Sequence, residues 1–350
     1  MEQNQILYES ISILSPSDER WLAFLAINSQ ANIFHHPAWS QLLADCYGFK
    51  PFIIASCDRN AGITAGLPVM EIKSWLTGNR WVSLPFTDHC LPLSINTSGL
   101  NYLVNGLLNQ AVAQGFSKVE LRGTVPTHPA LQQFAPYVLH KLTLEENFSK
   151  VDCRIHPMHR RNANIAQKRG VRVEIGKDFE HMRAFYKLHV ETRRRQGVPV
   201  QPWQFFNLLK SILVEEDLGF LLLAYKQEEI IAALVLLGWN HTLTYKYGAS
   251  STDSLRFRPN DLLFRTAIQW GCENGYKSLD FGRTDLANEG LRTFKSRWGA
   301  EETPLIYHTL SATPAQHSSG RTEALMHRVI RYSPIWVCRL AGALLYRHFG

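Results

Sequence analysis

Apolar residues recur at helical spacing over 100–113 (Leu103, Leu107, Leu108, Ala111), and the pattern stops at Gly115. A strand-like run, 116–121, follows at once, since a C-terminal glycine accepts the left-handed conformation that ends a helix. The same succession returns in the second half, where a helical pattern over 262–272 stops near Gly275 and a strand pattern over 276–281 follows. Both strands read aromatic, two polar residues, apolar, acid, apolar. Upstream, Pro37, Trp39 and Leu42-Leu43 are echoed by Pro202, Trp203 and Leu208-Leu209, which predicts two helices opened by proline. Apolar strands are expected over 52–55 and 220–225, then, past short polar turns, over 63–70 and 230–239. A third strand in each half, 81–84 and 242–247, leads into the repeated helix. Each half thus reads helix, three strands, helix, strand, an α+β unit.

With 350 residues the chain is long enough for two domains. The repeat divides it into 1–150 and 151–312, with a tail over 313–350. Hydrophobic residues make up 45% and charged residues 19%, which excludes a largely disordered chain. The longest apolar stretch, 230–239, is half of the ~20 residues a membrane-spanning helix needs. The N-terminus reads MEQNQILYES, without a basic segment followed by an apolar one, so a cytoplasmic protein is expected. None of the six cysteines forms a CxxC pair, and reduced, buried thiols are expected. His35-His36 has neither ligand spacing nor an evident carboxylate partner, so no metal site is expected. No GxSxG elbow is present.

The net charge of +7 matters mainly through its placement. Between Arg154 and Arg172 lie six basic residues (Arg154, Arg160, Arg161, Lys168, Arg169, Arg172) and no acid, around a helical stretch closed by Gly170. A second cluster, Arg193-Arg194-Arg195, follows the helical stretch 179–192. Solvated helix faces account for most charge runs, but the absence of acid here points towards an anion: a substrate phosphate, RNA or anionic lipid. The tail repeats apolar residues at helical spacing from Leu325 to Leu345, with Arg328, Arg331, Arg339 and Arg347 among them. Such a basic amphipathic helix either docks on its own domain or lies on the inner membrane surface.

The connection after the third strand of the second half carries the most informative residues. Tyr247-Gly248-Ala249-Ser250, Pro259-Asn260-Asp261-Leu262-Leu263, Asp280-Phe281-Gly282-Arg283, and Phe294-Lys295 with Trp298-Gly299 resemble the Fem-type branch of the GNAT acyltransferase superfamily. Glu191-Thr192 with Arg195 and Gly197 does so too. In the first half the resemblance extends to Phe34-His35-His36-Pro37-Ala38-Trp39 and Ser83-Leu84-Pro85-Phe86. It implies two tandem GNAT-like domains and an enzyme that attaches amino acids to cell-wall precursors. Acetyl-CoA users carry a Gly-rich loop whose N–H groups cradle a pyrophosphate. Here 254–261 contains no glycine, and Pro259 lacks an N–H. The donor is therefore left between aminoacyl-tRNA and acyl-CoA, with no tightly bound cofactor. Asn260 or Asp261 is the expected cap of the following helix.

By this resemblance Lys295 is the cation near the reacting carbonyl, with Tyr247 and Asp280 beside it. Arg195 resembles an arginine that holds an acceptor phosphate; Arg283, Trp39, Asn260 and Arg258 complete the expected binding set. The expected acceptor is an anionic saccharide or peptidoglycan-type precursor. Two other readings stay open: an acyl-CoA-dependent N-acetyltransferase of exopolysaccharide synthesis, and a non-catalytic protein that binds RNA or a membrane surface.

Overall fold

The apolar run 230–239 is continuous rather than alternating because the strand it forms is covered on both faces. The structure, a computed structural model, describes residues 10–116, 118–311, 338 and 346–348. These divide into two units: 10–136 with 305–311 and 347–348, and 137–304 with 338 and 346.

The chain begins with β1 (Ser10–Leu14), α1 (Glu19–Ile27), α2 (Pro37–Tyr47), β2 (Lys50–Cys57), β3 (Ile63–Ile72), β4 (Arg80–Val82), β5 (Leu93–Ser94), α3 (Thr97–Ala113) and β6 (Lys118–Leu121). It continues through β7 (Gln132–Thr143), α4 (Phe148–Arg154), α5 (Pro157–Lys168), β8 (Val171–Gly176), α6 (Phe179–Gln196) and α7 (Trp203–Leu209). Then come β9 (Gly219–Lys226), β10 (Glu229–Trp239), β11 (Thr242–Ser250), α8 (Pro259–Glu273), β12 (Ser278–Asp285), α9 (Glu289–Ser296) and β13 (Glu301–Ser311).

The two units share one topology. In the first, β1, β2, β3 and β4 pair antiparallel in sequence order, β4 pairs parallel with β6, and β13 closes β6 antiparallel. In the second, β8, β9, β10 and β11 pair antiparallel, β11 pairs parallel with β12, and β7 closes β12 antiparallel. A parallel pair needs a crossover, and α3 and α8 supply it. These are the two helices that the repeat predicts, and the tandem GNAT-like α+β organisation is the observed one.

The junction differs from the expected 150/151. The chain enters the second unit at Tyr137, because β7 pairs with β12 from Tyr137↔Asp285 to Thr143↔Ser278. Residues 305–311 belong to the first unit through β13 and β6. The basic helix expected over 323–349 lies, apart from Cys338 and 346–348, outside the described residues.

In the second unit, alternate residues of β9 and β10 face opposite layers. Phe220, Leu222 and Ala224 with Ala232, Leu234 and Leu236 pack with Leu262, Leu263 and Ile268 of α8 and Ala163 and Ala166 of α5. The other layer holds α6 and α7, where Phe185, His189 and Phe206 stack among themselves and against Tyr247 of β11.

Candidate active site

Two strands of the second unit part company at its centre. β11 and β12 pair only from Thr242↔Ser278 to Thr244↔Asp280. Beyond that point β11 stays with β10 and carries a bulge at Lys246, since Tyr245 faces Leu236 and Tyr247 faces Val235. β12 breaks register after Asp280 and resumes with β7 at Arg283↔Leu139. The sheet is therefore open between 245–250 and 281–285. Phe264 of α8 spans the start of this opening: its ring centroid lies 4.9 Å from that of Tyr245 and 5.6 Å from that of Phe281. Burial pushes the Tyr245 hydroxyl up to about 12, so it stays neutral.

The break in β12 is built from Gly282, whose φ of +70° is the left-handed region that disfavours a side chain. The Asp280 carboxylate, 3% exposed, accepts the Gly282 N–H at 2.7 Å. Lys295, at 4% exposure the single buried residue of α9, donates from Nζ to the Gly282 carbonyl at 2.8 Å and to the Arg283 carbonyl at 3.1 Å. A buried ammonium without such acceptors would be costly. Behind it, burial and the charge of Lys295 together hold His140 of β7 below the ordinary histidine range. His140 Nε2 is 3.1 Å from Glu302 Oε2. The Arg292 guanidinium holds Glu302 through two bonds, 2.7 and 3.0 Å, and keeps its carboxyl low. The result is a fixed positive charge beside the strand opening.

Arg283 lies over the Tyr137 ring, 4.4 Å from its centroid. Tyr247 packs against His189, Phe205 and Phe206, so its ring is part of the α6–α7 layer. Arg195, in the last turn of α6, donates to Thr252 Oγ1 at 2.6 Å; Thr252 in turn bonds Glu191 at 3.0 Å. This fixes the guanidinium beside the chain leaving β11. Trp39 does not fit the expected binding role. It is fully buried in the first unit, and its Nε1 donates to Thr87 Oγ1 at 2.8 Å. Asn260 and Asp261 do not cap α8. The cap position is Arg258, at φ +60° and without a side-chain cap bond, because Pro259 takes the first helical position.

Asp261 is engaged elsewhere, and sequence reasoning missed it. Its Oδ1 lies 2.5 Å from His159 Nδ1 of α5. The His159 ring stacks on Trp298 at 4.4 Å and meets Phe294 edge-on at 5.3 Å. His159 lines a hollow of about 400 Å³ with Met158, Glu289, Gly290, Thr293, Phe294 and Arg297. A neighbouring hollow of about 810 Å³ includes Cys153, Arg154, Arg160, Arg292 and Arg297 in its wall. A carboxylate in the first turn of α8 also disfavours a second anion at that terminus.

Comparisons with known proteins agree with this architecture. Residues 157–296 match the family model described as "Acetyltransferase (GNAT) domain". A stretch of 99 residues is 31% identical to the lipid II:glycine glycyltransferase of Staphylococcus haemolyticus (strain JCSC1435), covering 27% of this chain and 24% of that protein. The chain thus matches about a quarter of the length of that relative. Among solved structures, FemX aligns with a TM-score of 0.67 and 16% identity over 85% of this chain and 96% of its own. L-PGS from Bacillus licheniformis aligns with a TM-score of 0.58 and 16% identity, covering 91% and 99%. A tandem GNAT protein of the clavulanic acid biosynthesis pathway gives 0.54 and 10%, covering 88% and 100%. At such identities these structures speak for the fold. The strand opening and the β11 bulge both lie within residues 157–296, the stretch that matches the GNAT acetyltransferase model.

Proposed function

We propose that the chain is an aminoacyl- or acyltransferase that acts on an amine or hydroxyl of a cell-envelope precursor of the peptidoglycan type. The observation that carries this reading is Lys295, buried behind the bulge where β11 and β12 separate. Attack on an acyl carbonyl builds negative charge on its oxygen, and a fixed cation in a low-dielectric wall lowers that barrier. The relative that matches over 99 residues is named for glycine transfer to lipid II, which supports an aminoacyl donor and a lipid-linked acceptor. An ester-linked aminoacyl donor, such as aminoacyl-tRNA, suits the α8 terminus better than a CoA pyrophosphate. Pro259 removes one N–H there, and Asp261 adds a negative charge. Arg195 is the group to meet an acceptor phosphate, a task that suits a guanidinium fork. Such precursors place the enzyme on the cytoplasmic side of the inner membrane.

A transfer assay with charged tRNA, lipid-linked precursor and the variant Lys295→Met tests the reading. Losing the cation should slow transfer ~100-fold while the circular dichroism spectrum is kept. Unchanged turnover would remove Lys295 from the reaction. The second reading, an acyl-CoA donor as in exopolysaccharide acetylation, draws on the acetyltransferase family match. Calorimetry decides between them, because micromolar binding of acyl-CoA in preference to charged tRNA would favour the second.

A further inference from the structure

An amine that attacks an ester must lose a proton, and neither Lys295 nor Asp280 is arranged to take it. Lys295 is a donor to two carbonyls, and the Asp280 carboxylate accepts a main-chain N–H. His159 is arranged differently. With Nδ1 held by the Asp261 carboxylate, the proton of the neutral ring resides on Nδ1 and the lone pair on Nε2. Nε2 is buried and, among the described residues, has no hydrogen-bond partner; His159 is 2% exposed and lines the 400 Å³ hollow. Buried polar atoms are rarely left so, and one on a residue that lines a hollow calls for a ligand that donates to it. Stacking on Trp298 and edge contact with Phe294 fix the ring plane. Phe294 precedes Lys295 on α9, and Asp261 lies one turn before Phe264, the residue at the strand opening. The dyad thus packs against α9, which carries Lys295, and shares α8 with Phe264.

We propose that His159, positioned by Asp261, is the proton acceptor of the transfer and that the adjoining hollow receives the amine or hydroxyl nucleophile; this rests on the acyltransferase reading above. The nucleophile's lone pair forms the new bond to the acyl carbon, and the ester C–O bond of the donor breaks. The proton lost by the nucleophile passes to His159 Nε2, and the imidazolium returns it to the departing alkoxide. No further reactant is consumed. The charged groups beside the ring are Asp261 from α8, Glu289 of α9 and Arg297 just past its end, with Arg160 on α5 itself beside the neighbouring hollow.

The test uses the full chain, glycyl-tRNA and lipid II, with His159→Gln and Asp261→Asn. Transfer by the wild type should fall off on the acid side of its pH profile. In His159→Gln the rate should drop ~100-fold and that limb should vanish, with donor binding unchanged. Asp261→Asn should cost ~10-fold. Histidine ¹⁵N spectra should show the Nδ1–H tautomer at His159 in the wild type and a mixture in Asp261→Asn, a readout that needs neither substrate nor turnover. A His159→Gln enzyme with wild-type rate and pH profile, or an Nε2–H tautomer in the wild type, would overturn the assignment alone. Absence of any transfer by the wild type would instead overturn the acyltransferase reading, and this assignment with it.

Discussion

Asp280 and Lys295 grip one residue from its two polar ends: the carboxylate takes the N–H of Gly282, and the ammonium takes its carbonyl. Opposite charges therefore hold the bulge that turns β12 away from β11. The shape of the opening and the charge beside it have one cause.

That relationship makes the bulge fragile to small changes. Gly282→Ala forces a Cβ into the left-handed region and should cost about 1–2 kcal/mol. Asp280→Ala orphans a buried N–H and should cost about 1–3 kcal/mol. Because both act on one peptide unit, the double variant should lose less than the sum of the two. Urea midpoints of the three variants check this, and strict additivity would count against a shared clamp.

Phe264 should be the aromatic that the second unit can least spare. Its ring lies within 4.9–5.6 Å of the rings of Tyr245, Phe281, Phe294 and Trp298. Phe264→Ala should cost about 3–5 kcal/mol, and Phe264→Leu, which keeps most of the volume, clearly less. Thermal melting of the two variants measures the difference.

Acid should weaken both units. Burial lowers His35 in the first unit to about 4 and, with help from the Arg193 charge, His189 in the second to about 3. Unfolded histidine charges near pH 6.5, so the unfolded chain binds protons that the folded one refuses. Stability is then full above about pH 6.5 and falls as the pH drops towards the folded values, by about 1.4 kcal/mol per pH unit for each ring. Replacing His189 by Gln should flatten the slope of unfolding free energy against pH by about one proton. An unchanged slope between pH 6 and 4 would contradict the buried neutral ring.

Arg195→Ala should raise the KM for a phosphorylated acceptor about tenfold with little change in kcat, as expected for a contact made equally in ground and transition states. Arg195→Lys should rescue only part, because a point charge cannot reproduce the fork held by Thr252 and Glu191. Steady-state kinetics at varied acceptor concentration separate the two constants.

Thiol labelling should find Cys153 first. It is exposed at the wall of the larger hollow, whereas burial pushes the half-buried Cys46 up to about 12 and Cys57, Cys90 and Cys272 are buried. Mass mapping after brief maleimide treatment of the native protein checks the order.

The elements most legible in the sequence are those with their own punctuation. Glycine stops after α3 and α8 and prolines at the head of α2 and α7 marked the repeat, and its twin topology followed. β7 and β13 were not legible. β7 contains Pro136 and is half exposed along its length, β13 contains Pro304, and each pairs with a strand remote in sequence. α9 escaped for another reason: it is eight residues long with only Leu291 and Phe294 apolar, and its one buried residue is a lysine. Lys295 was found through the Phe294-Lys295 motif. Trp39 entered the expected binding set through a motif as well, but its large apolar ring serves the core. The His159–Asp261 pair joins residues 102 positions apart, a distance over which spacing carries no signal.

The long-range pairings of β7 and β13 have a consequence for anyone who cuts this chain. A fragment ending at residue 150 would lack residues 308–311, which cover β6 in the intact molecule, and would leave that strand's hydrogen-bonding groups bare. A fragment starting at residue 151 would in turn strip β12 of Tyr137–Thr143, its partner on the side of the bulge. Exposed strand edges recruit other strands, so both pieces should self-associate rather than fold as independent halves. Two units each completed by a strand from beyond the expected boundary cannot be parted by a single cut.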